Sequence, residues 1–459
     1  MKQQRIGQAV VQFVKNQRGI AINISTNLHD RRFAITTGQR HELRFGHHHR
    51  DFNRLPARAL IAQKASNLLG KRASRVVVQH DLSLHGRSLP ISRLVEWPND
   101  TLSLMHTHNK HPFELLGPSR MLDGLQALGL QPDGRMLALN SFENRVYLLW
   151  LDEPWLDAEG KPHDSVVLKA YRPGRWSLAQ ILEEHRFAND LAEAELPVAA
   201  PINLRESFAA PDLAGDSLMW IDPVYVALWP RQGGRAPDMD RPEVLERMGR
   251  FIARLHGVGR RKAFNHRSGF RGLASAFEAI DQVEALRNAL PQACDRWIGV
   301  ARTCLNTAHT VIANLPAPKL LRIHGDMHWG NVLWTEAGPH FVDLDDCRMG
   351  PAISDLWPLL SGQGEELEAG LAIILQAYRS ISDFDPMEMH WIEVLRSVRL
   401  IEHTAWIANR YDDPAFPRAF PGFAEPDYWD RRMFELQQQQ SVLRQSFDAG
   451  KPFGEIAYD

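Results

Sequence analysis

From residue 112 onward the apolar positions fall into runs with a readable period. PFELLGPSRMLDGLQALGL (112–130) has apolar residues at helical spacing, and Pro132, Asp133 and Gly134 then turn the chain. MLALNSFENRVYLLWLD (136–152) reads as two strands around a polar turn, and DSVVLKAYR (164–172) as a further strand that ends in a lysine. SLAQILEEHRFANDLAEAEL (177–196) predicts a helix with Ser177 as its N-cap, stopped by the prolines of LPVAAPINL. SLMWIDPVYVALWP (217–230) predicts two more strands. From about 240 the pattern turns helical, with stretches at 241–260, 274–290, 294–314, 364–380 and 387–410. The exception is LRIHGDMHWGNVLW…PHFVDLDD (321–346), two short strand-like runs joined through a polar loop. The order predicts an α+β fold of two lobes: a small antiparallel sheet with one main helix (105–230), then a larger helical lobe (231–459), with a cleft between them.

The first 104 residues carry weak periodicity and a few short strand-like runs, such as SRVVVQHDLSL (74–84). Charge sets them apart: they hold 17 Lys and Arg against 6 Asp and Glu, whereas the other 355 residues hold 36 against 49. A basic arm for nucleic acid is one reading. Arginines spread without interleaved aromatics make no stacking platform, and the triplet His47–His49 has no fixed geometry for a metal. We therefore expect a poorly ordered basic extension, one that could originate from translation upstream of the true start, and no nucleic-acid partner.

Hydrophobic residues make up 44% of the chain, with no apolar run long enough to cross a membrane, so no membrane association is expected. The N-terminus MKQQRIGQAVVQFVKN lacks the apolar core of a secretory signal. Cys294, Cys304 and Cys347 form no C-x-x-C pair, which fits a reducing cytoplasm. Cys347 reads as a packing residue.

The loop IHGDMHWGN (323–331) concentrates the chemistry. His324 and His328 are four apart, but Gly325 and Gly330 spoil the helix a zinc pair needs. Asp326 and Asn331 are five apart, the spacing of a kinase base and its magnesium-binding asparagine. A second carboxylate should follow on the next strand, and Asp343 of FVDLDD supplies it; Asp345 and Asp346 are expected to shape the turn. Lys169, at the end of the VVLK strand, suits the nucleotide phosphates. Its partner should be Glu183 or Glu184 on the next helix. Glu184 is preferred, because Leu191 lies two turns along the same face.

HGDMHWGN resembles the H-G-D-x-x-x-x-N loop of the aminoglycoside phosphotransferase and choline kinase group, which shares the protein-kinase-like fold. LNSFENRVYLL, LKAYRPGRWSLAQILEEHRFA, LPVAAPI, FVDLDDCRMGPAISDLW and DPAFPRAFP look, in order, like segments of the bacterial stress-response serine/threonine protein kinases of that group. The resemblance runs from about residue 105, with Met105 where such chains would begin. It implies Asp326 as proton acceptor and Asn331 and Asp343 as Mg²⁺ ligands. It implies Lys169 and Glu184 as the phosphate-anchoring pair, and Ser141 and Asn144 in the turn near the ATP phosphates. ALWPRQGG (227–234) resembles the hinge that reads adenine.

Two departures matter. No G-x-G-x-x-G loop covers the phosphates, so Ser141 to Asn144 must do that work. Residues 344–354 leave little room for a phosphorylated activation loop before Asp355, so no switch of that kind is expected. His324 is expected to steady the loop backbone, with His328 and Trp329 lining the cleft floor. Trp357, Arg399 and Trp406 lie on later helices and could face the acceptor, though aromatic residues at helical spacing read as core. The expected activity is an ATP-dependent, Mg²⁺-assisted serine/threonine protein kinase, monomeric and cytoplasmic, working in a stress response. The alternative acceptor is a small alcohol such as an aminoglycoside, choline or homoserine.

Overall fold

A computed structural model describes residues 117–448, apart from short stretches at 128, 140, 205–212, 222, 240, 314, 361, 363 and 414; of residues 1–116 it describes strands alone. The chain divides into two compact units, Met1–Lys110 and His111–Asp459.

In the first unit, β1 (Gln8–Lys15), β2 (Arg18–Asn27), β3 (Arg32–Thr37), β4 (His41–Gly46) and β5 (Val76–His80) form an antiparallel sheet in the order β4-β3-β2-β1-β5. A short hairpin, β6 (Ser83–Leu84) and β7 (Arg87–Ser88), follows. The strand-like run 74–84 contains β5 and β6. His47–His49 and Met105 lie outside the described residues.

The second unit opens with α1 (Pro118–Ala127), shorter than the 112–130 pattern, whose first residues are outside the described set. Six strands follow: β8 (Pro132–Ala138), β9 (Arg145–Leu156), β10 (Pro162–Ala170), β11 (Leu213–Gly215), β12 (Leu218–Ile221) and β13 (Val224–Pro230). They pair antiparallel in the order β11-β12-β13-β10-β9-β8. Alternate side chains of a strand take opposite faces. Val166, Leu168 and Ala170 of β10 join Met121 and Leu125 of α1 in one apolar cluster, so Lys169 is directed to the other face. There lies α2 (Leu178–Glu193), inserted between β10 and β11. Ser177 caps it as predicted, in a capping box with Gln180.

The helical lobe comprises α3 (Pro242–Gly259), α4 (Leu273–Ala285), α5 (Cys294–Ile312), α6 (Glu365–Arg379), α7 (Ile392–Ala408), the single turn α8 (Phe416–Ala419) and α9 (Pro426–Asp448). α3 packs on α6, α4 on α7, and α5 on α9, where Trp297 meets Trp429 edge-on with centroids 6.0 Å apart. Two small antiparallel pairs interrupt the helices. β14 (Leu321–Ile323) pairs with β17 (Arg348–Gly350), and β15 (Val332–Thr335) with β16 (Gly338–Phe341). The sequence pattern showed three of these strands, β16 as the apolar run before Asp343; β17, three residues long, carries too little alternation to register. Gly259 lets α3 close on β14: a Cβ there would lie 2.1 Å from the Arg322 carbonyl oxygen.

This is an α+β, two-lobed, protein-kinase-like architecture, with the polar loop 324–331 and the turn 343–346 emerging where the lobes meet.

Candidate active site

On the sheet side, Lys169 Nζ lies 3.1 Å from Glu184 Oε1, 3.3 Å from Asp343 Oδ1 and 3.1 Å from Asp345 Oδ1. Burial alone would lower its pKa; the three carboxylates outweigh that and hold the ammonium charged. Neighbouring residues on a helix diverge by about 100°, and this separates the two glutamates of α2. Glu184 is fully buried on Lys169. Glu183 instead accepts the backbone N–H groups of Asn265, His266 and Arg267 at 2.7, 2.9 and 2.8 Å. The preference for Glu184 over Glu183 thus matches the geometry.

Arg267, which no sequence pattern singled out, closes this network. Its guanidinium donates to Glu184 Oε2 at 3.1 Å and to the carbonyls of Gln180, Asp345 and Cys347 at 2.9, 2.6 and 3.0 Å. It also stacks 4.6 Å from the ring centre of Trp176. One buried cation therefore ties α2 to the turn after Asp343. Cys347 is buried beside it, and burial pushes its thiol far above the usual range, as suits a packing residue.

Asp345 needs correcting. It does more than shape the turn: the short 3₁₀ turn Leu344–Asp346 carries its carboxylate inward, onto Lys169, Arg175 and Asn144. Burial would raise its pKa, but Lys169 and Arg175 hold it well below the usual range. Asp346 faces Arg175 at 2.6 Å. Asn144 likewise departs from an open, phosphate-facing place. Its Nδ2 donates to Asp345 Oδ2 at 3.2 Å and its Oδ1 accepts from Arg172 N at 3.1 Å, so both ends of the amide are engaged within the protein. Ser141 sits at the head of the same turn, its Oγ a long 3.4 Å from Asn144 N.

On the helical side, β14 delivers the loop. Gly325 has φ +83°, and a Cβ there would lie 2.1 Å from the Asp346 carbonyl oxygen, so only glycine lets the loop pass this close to the turn. Asp355, read in the sequence only as a landmark, is fully buried beneath the loop. It accepts from His324 N at 2.7 Å, Gly325 N at 2.9 Å and His256 Nε2 at 3.1 Å. His324 Nε2 donates to the Val342 carbonyl at 3.0 Å, the steadying contact expected of it. Trp329 anchors the far end of the loop through Nε1 to the Leu359 carbonyl at 3.0 Å.

Asn331 Nδ2 donates to the Asp326 carbonyl at 2.9 Å and approaches its carboxylate at 3.5 Å. Val342 N bonds the Asn331 carbonyl at 3.1 Å, which puts Asp343 next to this pair in space. Asp343 takes a left-handed backbone (φ 62°, ψ 68°), rare for a residue with a side chain, and its carboxylate is half exposed. The Asp326 carboxylate has two close side-chain neighbours, His328 Nε2 at 3.3 Å and Arg399 Nη2 at 3.1 Å. Burial works to raise the Asp326 pKa; His328 and Arg399 outweigh it and leave a carboxylate well below the usual range. Arg399, a residue that could face the acceptor, is projected by α7 onto Asp326. Trp406 packs against the core as read, and its Nε1 also donates to Glu143 Oε2 at 3.0 Å; Trp357 packs there too, under Arg396. The stretch 227–234 runs from β13 into a bridge in which Arg235 and Trp334 exchange backbone hydrogen bonds of 3.0 and 2.7 Å.

The site thus gathers a lysine among three carboxylates, a carboxylate–amide pair, and a half-exposed aspartate between them. A model of the APH phosphotransferase enzyme family matches residues 136–391. The chain belongs to that family. Stress response kinase A of Salmonella choleraesuis (strain SC-B67) is 37% identical over 345 residues, covering 73% of this chain and 96% of that one. The serine/threonine protein kinase RdoA of Salmonella typhimurium is 36% identical over the same length and coverage. Among solved structures, a microcompartment-associated aminopropanol kinase covers 72% of this chain and 98% of its own at 15% identity, with a TM-score of 0.54, a likeness of fold. This phosphotransferase is therefore an ATP-dependent enzyme of the kinase-like phosphotransferase fold. Among its described residues no helix is long and apolar enough to cross a membrane.

Proposed function

We propose that this phosphotransferase is a serine/threonine protein kinase of a bacterial stress response, working as a cytoplasmic monomer on Mg²⁺-ATP. The observation that carries the catalytic reading is the contact of Lys169 with Glu184 and Asp343, beside the Asp326–Asn331 pair. The names borne by the relatives support a protein hydroxyl as acceptor.

In this reading Lys169, held by Glu184, anchors the ATP phosphates, with Ser141 and the backbone of its turn nearby. The residues fit a magnesium ion. Asn331 turns its Nδ2 to the Asp326 carbonyl, which leaves Oδ1 as an oxygen ligand, and Asp343 offers a half-exposed carboxylate. Among the described residues no three His, Cys, Asp or Glu converge as a metal cluster, and Asn331 and Asp343 would hold the ion together with oxygens from outside the chain. When bound, the ion neutralises phosphate charge. Asp326 accepts the hydrogen bond of the acceptor hydroxyl, aligns it for in-line attack and takes its proton as the bond to the γ-phosphorus forms and the bond from that phosphorus to the β–γ bridging oxygen breaks, releasing ADP. A carboxylate of depressed pKa takes that proton late, which suits a loose transition state. Most of the acceleration is positioning and fixed electrostatics.

Residues 344–354 are consumed by the Leu344–Asp346 turn, by β17 paired to β14, and by the 3₁₀ turn Ala352–Asp355. We infer an enzyme without a phosphorylated activation loop, and that the second unit, His111–Asp459, carries the activity, with the basic N-terminal unit outside it. The test offers labelled ATP and Mg²⁺ to the full chain with a protein acceptor and a panel of small alcohols side by side. Label in protein serine or threonine is the expected result. Transfer to one small alcohol, with protein left unlabelled, replaces the acceptor reading.

A further inference from the structure

The turn that stands in for a glycine-rich loop is tied down at its tip. Turn 141–144 enters β9 at the margin of the sheet, and its tip lies on the helical lobe. The Phe142 ring packs edge-on against Trp406 and Phe420, with centroids 5.8 and 5.2 Å away, and those two rings are 6.0 Å apart. Glu143 Oε2 accepts Trp406 Nε1 at 3.0 Å and pairs with Arg410, whose guanidinium lies 4.3 Å over the Trp406 ring. Its other oxygen faces Arg172 Nε at 3.3 Å and Arg175 Nε at 3.5 Å, both from the sheet lobe. Arg172 further donates to the carbonyls of Phe142 and Glu143 at 3.0 and 2.9 Å and pairs with Asp413 at 3.3 Å. One largely buried carboxylate is thus shared by guanidinium groups of both lobes.

Buried ion pairs are a weak source of net stability, because desolvation consumes most of the attraction; what they impose is geometry. The geometry here is specific. The inner end of the turn is fixed by Asn144 on Asp345 and its outer end by Phe142 and Glu143. Ser141 comes just before the outer anchor, and its Oγ lies 3.4 Å from the N–H of Asn144 at the inner one. A short turn of ordinary residues binds an anion well only if its order is established before the ligand arrives.

We propose that the clasp of Phe142 and Glu143 on Trp406, Arg410 and Phe420 is the positioning device for the ATP phosphates. It replaces the flexible glycine loop and makes nucleotide affinity depend on α7, α8 and the segment joining them. The proposal rests on the reading above, that turn 141–144 faces the phosphates. Separation of the lobes must break the clasp, so ATP binding and lobe closure are linked.

The test compares Arg410→Gln, Arg410→Lys and Phe142→Ala in the full chain. The readouts are kcat, the KM for ATP and for acceptor, ATP binding by calorimetry, and thermal unfolding. Arg410→Gln is expected to raise the ATP KM about tenfold, the scale of one charged hydrogen bond, while kcat stays within about threefold and acceptor KM is unchanged. Arg410→Lys restores most of the affinity. Lowered thermal stability with an unchanged ATP KM would mean that the contact is mere packing, and the proposal is overturned. If Arg410→Gln does not fold, Phe142→Ala is read by the same criteria. Lys169→Met separates the two levels. If it leaves ATP binding intact, the site assignment fails and the clasp with it; if it weakens ATP while Arg410→Gln and Phe142→Ala do not, only the clasp fails.

Discussion

Lys169 and Asp326 are both charged groups ringed by opposite charge, yet their surroundings differ. Around Lys169 the partners Glu184 and Asp345 are buried, as is Arg267 behind Glu184, and of the three carboxylates Asp343 alone is half exposed. Around Asp326 the side chains are open to water: Asp326 is 33% exposed, His328 38% and Arg399 45%. Dry, saturated networks have one arrangement; half-solvated ones have several of similar energy. In the proposed reading, the side that takes an invariant ligand, ATP, is rigid in advance, and the side that takes the acceptor keeps mobile groups around the base. A kinase of varied protein acceptors gains from that division, because positioning of the phosphates need not be relearned for each one.

The largest way to break the comparison is to remove the base itself. Asp326→Asn keeps the size and the neighbours, so ATP binding and thermal stability should hold while kcat falls about a thousandfold, the middle of the range for general-base removal. Single-turnover transfer checks this, and unaltered turnover would dismiss Asp326 as the proton acceptor. Next comes the dry side. Arg267→Met leaves Glu184 with one fewer partner and strands the carbonyls of Asp345 and Cys347. A loss of about 3 kcal/mol in urea unfolding is expected, the usual cost of breaking a buried ionic network from one end. A loss near zero would mean that the network is not rigid.

The open loop also rests on something dry, and Glu388 tests it. The carboxylate accepts the Ile353 N–H at 2.9 Å, two residues before Asp355, and burial pushes its pKa up to about 7. A carboxyl whose folded pKa is raised adds stability that is complete below its unfolded value of 4.5 and is lost as pH climbs through about 7. Glu388→Gln keeps an acceptor for Ile353 and removes the titration. Between pH 5 and pH 8 the wild-type chain should therefore lose on the order of 2 kcal/mol relative to the variant. Parallel unfolding curves at the two pH values would show that the group titrates normally.

What could be read in advance follows the same division. The apolar run of VVLK marked a strand ending in Lys169, and the 3.6-residue period of 178–193 put Glu184 on one face of a helix; both are local rules. The five-residue step from Asp326 to Asn331 is local too. Arg267, Asp355 and the inward turn of Asp345 were illegible because each is defined by partners more than 25 residues away, met only through tertiary contact. α9 escaped for a different reason. Its buried stripe of Trp429, Met433, Leu436 and Leu443 is interrupted by Gln439, a buried amide that satisfies the Glu393 carbonyl and carboxylate at 3.0 and 2.7 Å. A polar residue in a core position erases the hydrophobic period that the eye looks for.

Arg399 offers the finest test, because it belongs to the wet side and its effect should be small. It reaches Asp326 from α7, 73 residues on, and its positive guanidinium helps to hold the carboxylate pKa down. Exposed pairs of this kind are worth little, so Arg399→Met should slow transfer at neutral pH by no more than about fivefold. The pH profile is the sharper measurement. Removing a positive neighbour raises the Asp326 pKa, and the base works only when ionised, so the acid limb of kcat/KM must move to higher pH. Arg399→Lys, which restores the charge without the planar fork, should return most of that displacement. A limb that stays fixed in Arg399→Met would assign the lowered pKa to His328 alone and leave Arg399 a surface cation. A limb that moves with little change in rate at neutral pH would show that the acceptor side adjusts the base through solvent-exposed charge, where the nucleotide side permits no such adjustment.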